Sequence, residues 1–315
     1  MSATAPTMTA PSAPTVEAFA PATGRTKDRE PNPRFHNSDL PLYAALTALA
    51  IVFCLPFFWL TMTSLKPPAE VFSDSWLPSS WHIKNYSDVF KAGPVERWLL
   101  NSVIIALLGV VTVVLSSALT AYGFARLRFR GRTQLFALVM ATYMIPGAVT
   151  MVPTFLVWDR LNLINARVGI GGWDTSLFLP LWAGNLFGSA FYIFMLRQFL
   201  LQIPQDLVDA ARIDGASYMR IFWSIMLPLI KPAMAAVAVF EFQAKWNDFM
   251  TPLIYLNRPS DYTMSLGLGT FKTEFETQWS LIMASSVMFT IPMMVLFFVA
   301  QRFFIEGVTT TGLKG

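Results

Sequence analysis

The sequence predicts an all-α integral membrane protein with six transmembrane helices and a cytoplasmic helix-turn-helix between the fourth and fifth. Three observations lead there. Of 315 residues, 54% are hydrophobic and only 13% charged, with a mean hydropathy of +0.49, too few charges to coat a soluble globule of this size. Long stretches carry no charge at all. The basic residues are distributed unevenly between the connections.

Residues 1–39 come first, and their opening, MSATAPTMTAPSAPTVEAFAPATG, has neither the basic start nor the apolar core of a signal peptide. Its Pro, Ala and Thr content without apolar periodicity predicts a disordered cytoplasmic tail. Charge-free runs then lie between Asp39 and Lys66, Arg97 and Arg126, Arg132 and Asp159, Asp174 and Arg197, and Glu276 and Arg302. Each is long enough to cross ~30 Å of hydrocarbon as a helix. A sixth stretch, Pro232 to Leu256, has the right length but carries Glu241, Lys245 and Asp248, so it reads as a span with a polar insert. Pro56, Pro146 with Gly147, Pro153 and Pro292 fall within spans, where proline removes a backbone donor and introduces kinks.

Six spans put both termini on one side. Basic residues on that side comprise Arg25, Lys27, Arg29 and Arg34 in the tail, and Arg126, Arg128, Arg130 and Arg132 in one short connection. Four more lie from Arg197 to Lys231, and Arg302 and Lys314 close the chain. The opposite connections hold fewer, which predicts cytoplasmic termini. The same bias accounts for the net charge of +4 without a nucleic-acid partner. A single cysteine, Cys54, lies in the first span, so one chain offers no disulfide or thiolate metal site.

The segment 199–231 is the orderly polar interruption. Pro204 can open a helix with Asp206 and Asp209 near its positive end, and Gly215 can stop it in a left-handed turn. Ser217 can cap a second helix running until Pro228 and Pro232. Ala210, Ala211 and Ala216 allow close approach, while Asp209, Arg212 and Arg220 place charge at the rim. Such a knob suits a cleft in a partner. An amphipathic pair lying on the membrane face would need the same Phe222, Trp223 and Ile225, and local physics leaves both readings open.

The run Asp209-Ala210-Ala211, three residues, Gly215, nine residues, Ile225, one residue, Leu227-Pro228 resembles the EAA loop of ABC importer permeases, E-A-A-x3-G-x9-I-x-L-P, with Asp209 in place of glutamate. WNDF at 246–249, DYT at 261–263 and the ending AQRFFIEGVTTTGLKG resemble the maltose-type branch of sugar importers, over roughly residues 40–315. The resemblance implies a bacterial inner-membrane permease of an ATP-driven carbohydrate importer. Its implied partners are a second permease, two ATP-binding cassette subunits and an extracytoplasmic sugar-binding protein. It implies a coupling loop containing Asp209, Ala210, Ala211, Asp214, Gly215, Ala216, Arg220, Leu227 and Pro228. It also implies an outward loop (Phe271, Lys272, Thr273, Glu274, Phe275, Glu276) that reaches the binding protein, and a C-terminal tail, 305–315, that docks between the ATPases. Gly307 is expected to end the last helix. No Gly-Lys dipeptide occurs in the chain, hence no G-x4-G-K-[ST] phosphate loop, so ATP and Mg are expected on partner subunits and no cofactor on this one.

On a helix at 100° per residue, Glu241, Lys245 and Asp248 share one side of the fifth span and Gln243 and Asn247 the other. Two polar faces cannot both meet lipid. Glu241 and Lys245 are spaced to pair and can form a structural ion pair. Alternatively, the cluster borders a sugar pathway, with the amides hydrogen-bonding hydroxyls and Trp246 offering a flat apolar face. An ion-coupled secondary transporter using Glu241, Lys245 and Asp248 is the rival function. Intramembrane catalysis lacks parts, since both histidines, His36 and His82, lie outside the spans and Asp248 is the only span aspartate.

Overall fold

The computed structural model describes residues 40–170, 173–272 and 278–311. The N-terminal tail 1–39, Thr273 to Glu276 of the outward loop, and the last four residues lie outside them. The chain divides into two units, one up to Cys54 and one from Leu55 onward. Among described residues the first unit consists of the opening of α1 (Leu40–Ser64), exposed throughout to Cys54. A helix apolar on every side suits hydrocarbon.

The second unit continues with α2 (Lys84–Ala92), α3 (Val95–Arg126), α4 (Arg132–Tyr143) and α5 (Gly147–Arg160). One antiparallel hairpin comes next, β1 (Arg167–Ile170) with β2 (Trp173–Ser176), in a register pairing Arg167 with Ser176 and Ile170 with Trp173. Then come α6 (Leu179–Trp182), α7 (Ala190–Gln202), α8 (Asp206–Ile213), α9 (Tyr218–Ile221), α10 (Leu227–Leu229) and α11 (Lys231–Asn247). The last elements are α12 (Met250–Tyr255), α13 (Met264–Leu268) and α14 (Trp279–Thr311). The fold is thus nearly all helical.

Among the described residues, four helices are long and apolar enough to span a membrane, or up to six spans form if two bent pairs each count as one. The third expected span is such a pair: α4 and α5 meet at 98°. Of the prolines expected to kink spans, Pro56, Pro153 and Pro292 sit inside continuous helices, whereas Pro146 caps the start of α5. The fifth span is not one helix from Pro232 to Leu256. It breaks at Asp248, which turns extended (φ −66°, ψ 118°). Pro252 has no N–H to bond the Asp248 carbonyl four residues back, and that carbonyl accepts the Ser265 hydroxyl instead (2.6 Å). At the other end, α14 continues through Gly307 to Thr311, so that glycine does not end the helix; a glycine inside a helix costs only ~1 kcal/mol.

α3 is the central element. Ala106, Gly109, Val113, Ser117, Ala121 and Ala125 recur every three or four residues along it and all are buried. Small residues on one stripe let neighbouring backbones approach closely, and α7 and α11 pack here. The end of this core next to the α8 to α10 loop joins Tyr122 of α3 and Leu196 and Leu200 of α7 to Val208, Ala211, Ile221 and Phe222 of the loop helices. At the opposite end Trp98 is 2% exposed and donates its indole N–H to the Pro259 carbonyl (2.7 Å). Asn101, one turn on, donates to the carbonyls of Ser260 and Tyr262. A methyl group on Gly267 would overlap the Trp98 ring at Cε3, so glycine is required there.

Gly267→Ala is therefore expected to destabilise the protein by about 1–3 kcal/mol, the usual cost of overpacking a core, while Gly123→Ala, inside α3 with nothing within 4 Å, is expected to stabilise it by up to about 1 kcal/mol. Thermal unfolding of the purified membrane protein in detergent checks the pair.

Candidate functional site

Two sites emerge, one on the loop of α8 to α10 and one inside the helix bundle. In the loop, α8 stops in a left-handed turn with Gly215 at φ 78°. The Gly215 amide donates to the Arg212 carbonyl (3.0 Å) and the Ala216 amide to the Ala211 carbonyl (2.9 Å). This is the double closure of a Schellman end, in which the residue after the cap must tolerate positive φ. Ser217 then caps α9, its hydroxyl accepting the Arg220 amide (3.3 Å). Between α9 and α10 the helix widens into one π turn, the Leu227 amide reaching Phe222 O. Pro228 lacks the N–H that a regular turn would send back to Ser224, and a wide turn relieves the misfit.

One face of this pair is anchored and the other is open. Val208 and Ala211 are buried against α3 and α7, while Asp209, Ala210, Asp214, Gly215 and Arg220 are exposed. Ala211, Asp214, Ala216, Arg220, Ile221 and Ile225 border a recess of ≈ 220 Å³. Ile213, at the tip, is 86% exposed. Arg212 lies over the Tyr218 ring at 4.2 Å, and the Tyr218 carbonyl accepts the Tyr122 hydroxyl of α3 (3.0 Å). Leu227 is half-buried and Pro228 exposed.

Inside the bundle, Glu241 is buried at 6% exposure. Its Oε1 accepts Asn185 Nδ2 at 2.6 Å and lies 3.9 Å from Lys245 Nζ. Lys245 donates to the Leu181 carbonyl at the end of α6 (2.7 Å), and Asn185 also donates to Gly109 O of α3 (3.2 Å). Tyr192 of α7 interacts with the same carboxylate. The pair thus ties α11 to α6 directly and, through Asn185 in the turn after α6, to α3. Phe178, non-glycine at φ 50° and only 2% exposed, starts the α6 turn that supplies the Leu181 carbonyl.

Asp248 does not join this cluster, because the helix has already broken there; its Oδ1 accepts the Thr251 amide (3.0 Å) and starts α12. Nor is Trp246 an open platform. It is fully buried, stacked between Phe242 (5.5 Å, 11°) and Phe289 (5.4 Å, 19°), with its indole N–H on Phe289 O. It locks α11 to α14. Gln243 and Asn247 do occupy the other, exposed side of α11, and Asn247 Nδ2 donates to Gln243 O (2.9 Å). The charged face is packed and the amide face is open.

Of the loop expected to face outward, Phe271 is buried and meets Trp98 edge-to-face (5.9 Å), so it anchors the loop base and offers no free contact surface; Lys272 is exposed. The Gln278 amide closes that base on the Phe271 carbonyl (3.1 Å). Elsewhere among the connections, the exposed carboxylate of Glu70 is held below its usual range by the Ser79 hydroxyl and amide.

Sequence reasoning missed Asn185 and Tyr192. An amide alone in the charge-free run before Arg197 was a legible signal, since polar groups at that depth need partners. It also treated Arg126 only as loop charge, whereas Arg126 reaches Gln205 and the last carbonyls of α7.

Glu241→Gln is expected to destabilise the protein by about 3 kcal/mol, because Lys245 keeps its charge and loses its counter-ion, and Glu241→Gln with Lys245→Met should recover only part of that loss, since the Leu181 carbonyl then loses its donor. Unfolding temperatures of the two variants in the same detergent test the coupling.

Residues 113–308 match the family described as binding-protein-dependent transport system inner membrane component. The arabinooligosaccharides transport system permease protein AraQ of Halalkalibacterium halodurans is 34% identical, over 85% of this chain and 93% of its own. The lactose transport system permease protein LacG of Rhizobium radiobacter is 29% identical, over 85% of this chain and 94% of its own. Among solved structures, a bacterial ABC transporter that imports the acidic polysaccharide alginate contains a chain with the same fold. It superposes with a TM-score of 0.72 at 22% identity, over 86% of this chain and 99% of that one.

Proposed function

The chain belongs to the binding-protein-dependent transport system inner membrane component family, and from that premise we propose how it does its work as the membrane permease of an ABC importer. ATP hydrolysis belongs to separate subunits, and the ion-coupled reading of Glu241, Lys245 and Asp248 gives way to the ATP-driven one. In the proposal, the α8 to α10 loop docks in a cleft of an ATP-binding subunit that holds ATP and Mg. The cargo is a carbohydrate delivered by an extracytoplasmic binding protein, a second permease completes the pathway, and both termini face the cytoplasm.

The observation that carries the docking role is Ile213, 86% exposed at the tip of a turn whose other face is packed into the bundle. A large apolar side chain held out by a rigid turn, beside exposed Tyr218 and Met219, suits a partner surface. A pair lying flat on lipid would need its apolar residues on one face; here Phe222 and Ile221 face the bundle. Conformational work from ATP can reach the spans only through contacts that differ between states, and a turn closed by two backbone hydrogen bonds is stiff enough to deliver it.

Support for a carbohydrate cargo comes from the relatives named for arabinooligosaccharides and lactose and from the open amide face of α11. Gln243 and Asn247 suit hydroxyl groups by hydrogen bonding. Glu241 and Lys245, being committed to each other and to Asn185, serve the bundle.

Ala210→Trp should leave membrane insertion intact, since Ala210 is exposed, yet weaken docking. Gly215→Pro should do the same by forbidding φ 78°. Co-purification of the ATPase subunits and their hydrolysis rate in the reconstituted transporter are the measurements; unchanged values for Ala210→Trp would remove the docking role.

A further inference from the structure

Arg126 is the last residue of α3, but it does not behave as a solvated loop charge. Its Nη1 donates to Gln205 Oε1 (2.8 Å), and its Nη2 donates to the carbonyls of Leu200 and, at 2.5 Å, Ile203. Those two carbonyls belong to the end of α7, where Ile203 turns extended before Pro204; a guanidinium there neutralises the negative end of the helix. The head group is drawn in so far that its Nε is buried without a hydrogen-bond partner. Gln205 in turn donates its Nε2 to Asp209 Oδ1 (3.2 Å), one turn into α8. Arg132, by contrast, bonds Leu127 O within its own segment.

We propose that Arg126 is a positioning residue that fixes α8 to the ends of α3 and α7 through Gln205 and orients the Asp209 carboxylate, so that loop and helices move as one piece. The inference rests on the docking role of that loop. Its physical basis is the fork. A planar guanidinium bonds three groups on two separate elements at fixed angles, which an ammonium on a flexible stem does not reproduce. Asp209 has a short side chain and is exposed, and the bond from Gln205 restricts the directions in which it presents its charge.

The test uses the assembled transporter reconstituted in lipid with Mg·ATP as the probe, reading the hydrolysis rate relative to that of the free ATPase subunits. Arg126→Gln and Gln205→Met are each expected to lower this ratio about three- to tenfold, as loss of a charge-assisted hydrogen bond implies. Combined, they should fall within about twofold of the worse single variant, because they break one chain of contacts. Gln205→Glu keeps an acceptor for Arg126 but sets a carboxylate against Asp209, and should lose as much as Gln205→Met. Arg126→Lys should not rescue.

A second readout separates positioning from mere stability. In a Cys54→Ser background, spin labels at Phe129 and Leu207, both exposed, should give a narrow distance distribution that broadens in Arg126→Gln and Gln205→Met. If Arg126→Gln fails to insert, the two Gln205 variants, on an exposed residue, carry the test. Full ratios and narrow distances in the Gln205 variants, or additive losses in the double variant, overturn the proposal. Should Ala210→Trp abolish the ratio while these variants keep it, positioning alone fails. If Ala210→Trp also has no effect, the docking role fails and this inference with it.

Discussion

Close approach to α3 dictates how the bundle is arranged. The stripe from Ala106 through Gly109, Val113, Ser117 and Ala121 brings α7 and α11 near enough that polar atoms on three elements share bonds. A Cβ on Gly109 would stand 3.2 Å from Lys245 Cγ and 3.3 Å from Asn185 Nδ2. With even a methyl group there, the Lys245 and Asn185 side chains would have to give way by a few tenths of an ångström. Hydrocarbon gives helices no hydrophobic reason to associate, so packing of small residues and buried hydrogen bonds must supply it. Both are concentrated at the same level of this bundle.

A second regularity concerns carbonyls released where helices break. The Leu181 carbonyl at the end of α6 receives Lys245, the Asp248 carbonyl at the break after α11 receives Ser265, and those of Leu200 and Ile203 at the end of α7 receive Arg126. In a medium without water each such group would cost several kcal/mol if left unsatisfied. Irregular backbone and polar side chains are therefore paired features: each of these breaks has a side chain stationed at it. The polar residues that first look like a cargo site are in good part the consequence of broken spans.

The same coupling explains what could be read from the sequence. Charge-free runs gave the membrane helices, and Gly215 with Ser217 gave the turn and cap of the loop, because those signals are local. The ends of spans were harder. A 100° wheel placed Asp248 with Glu241 only on the assumption of an unbroken helix, and Pro252 was the clue that the assumption fails. Trp246 looked available because an aromatic in a span carries no mark of what covers it; Phe242 is local but Phe289 comes from α14. Asn185 and Arg126 act on residues 56 and 79 positions away, a separation that no local pattern encodes.

Where a load enters the molecule decides which parts can respond together. Val208, Ala211, Ile221 and Phe222 of the loop share one apolar cluster with the ends of α3, α7 and α11 nearest to it. The far end of α3 belongs to a different cluster, with Trp98, Met264, Phe271 and Leu281. A displacement of α8 is therefore passed directly to the near halves of three helices. Its passage to the far halves runs along α3 itself and through the polar level at Gly109. Well-packed clusters shift as units and resist gradual deformation, so the place where relative motion costs least is between them. The hydrogen bonds at Gly109, Asn185 and Glu241 lie at that level. Glu241, buried, and Lys245, half-buried, bind α11 at that level to Asn185 and to the carbonyl of Leu181, whose side chain packs with Ile105 and Phe178.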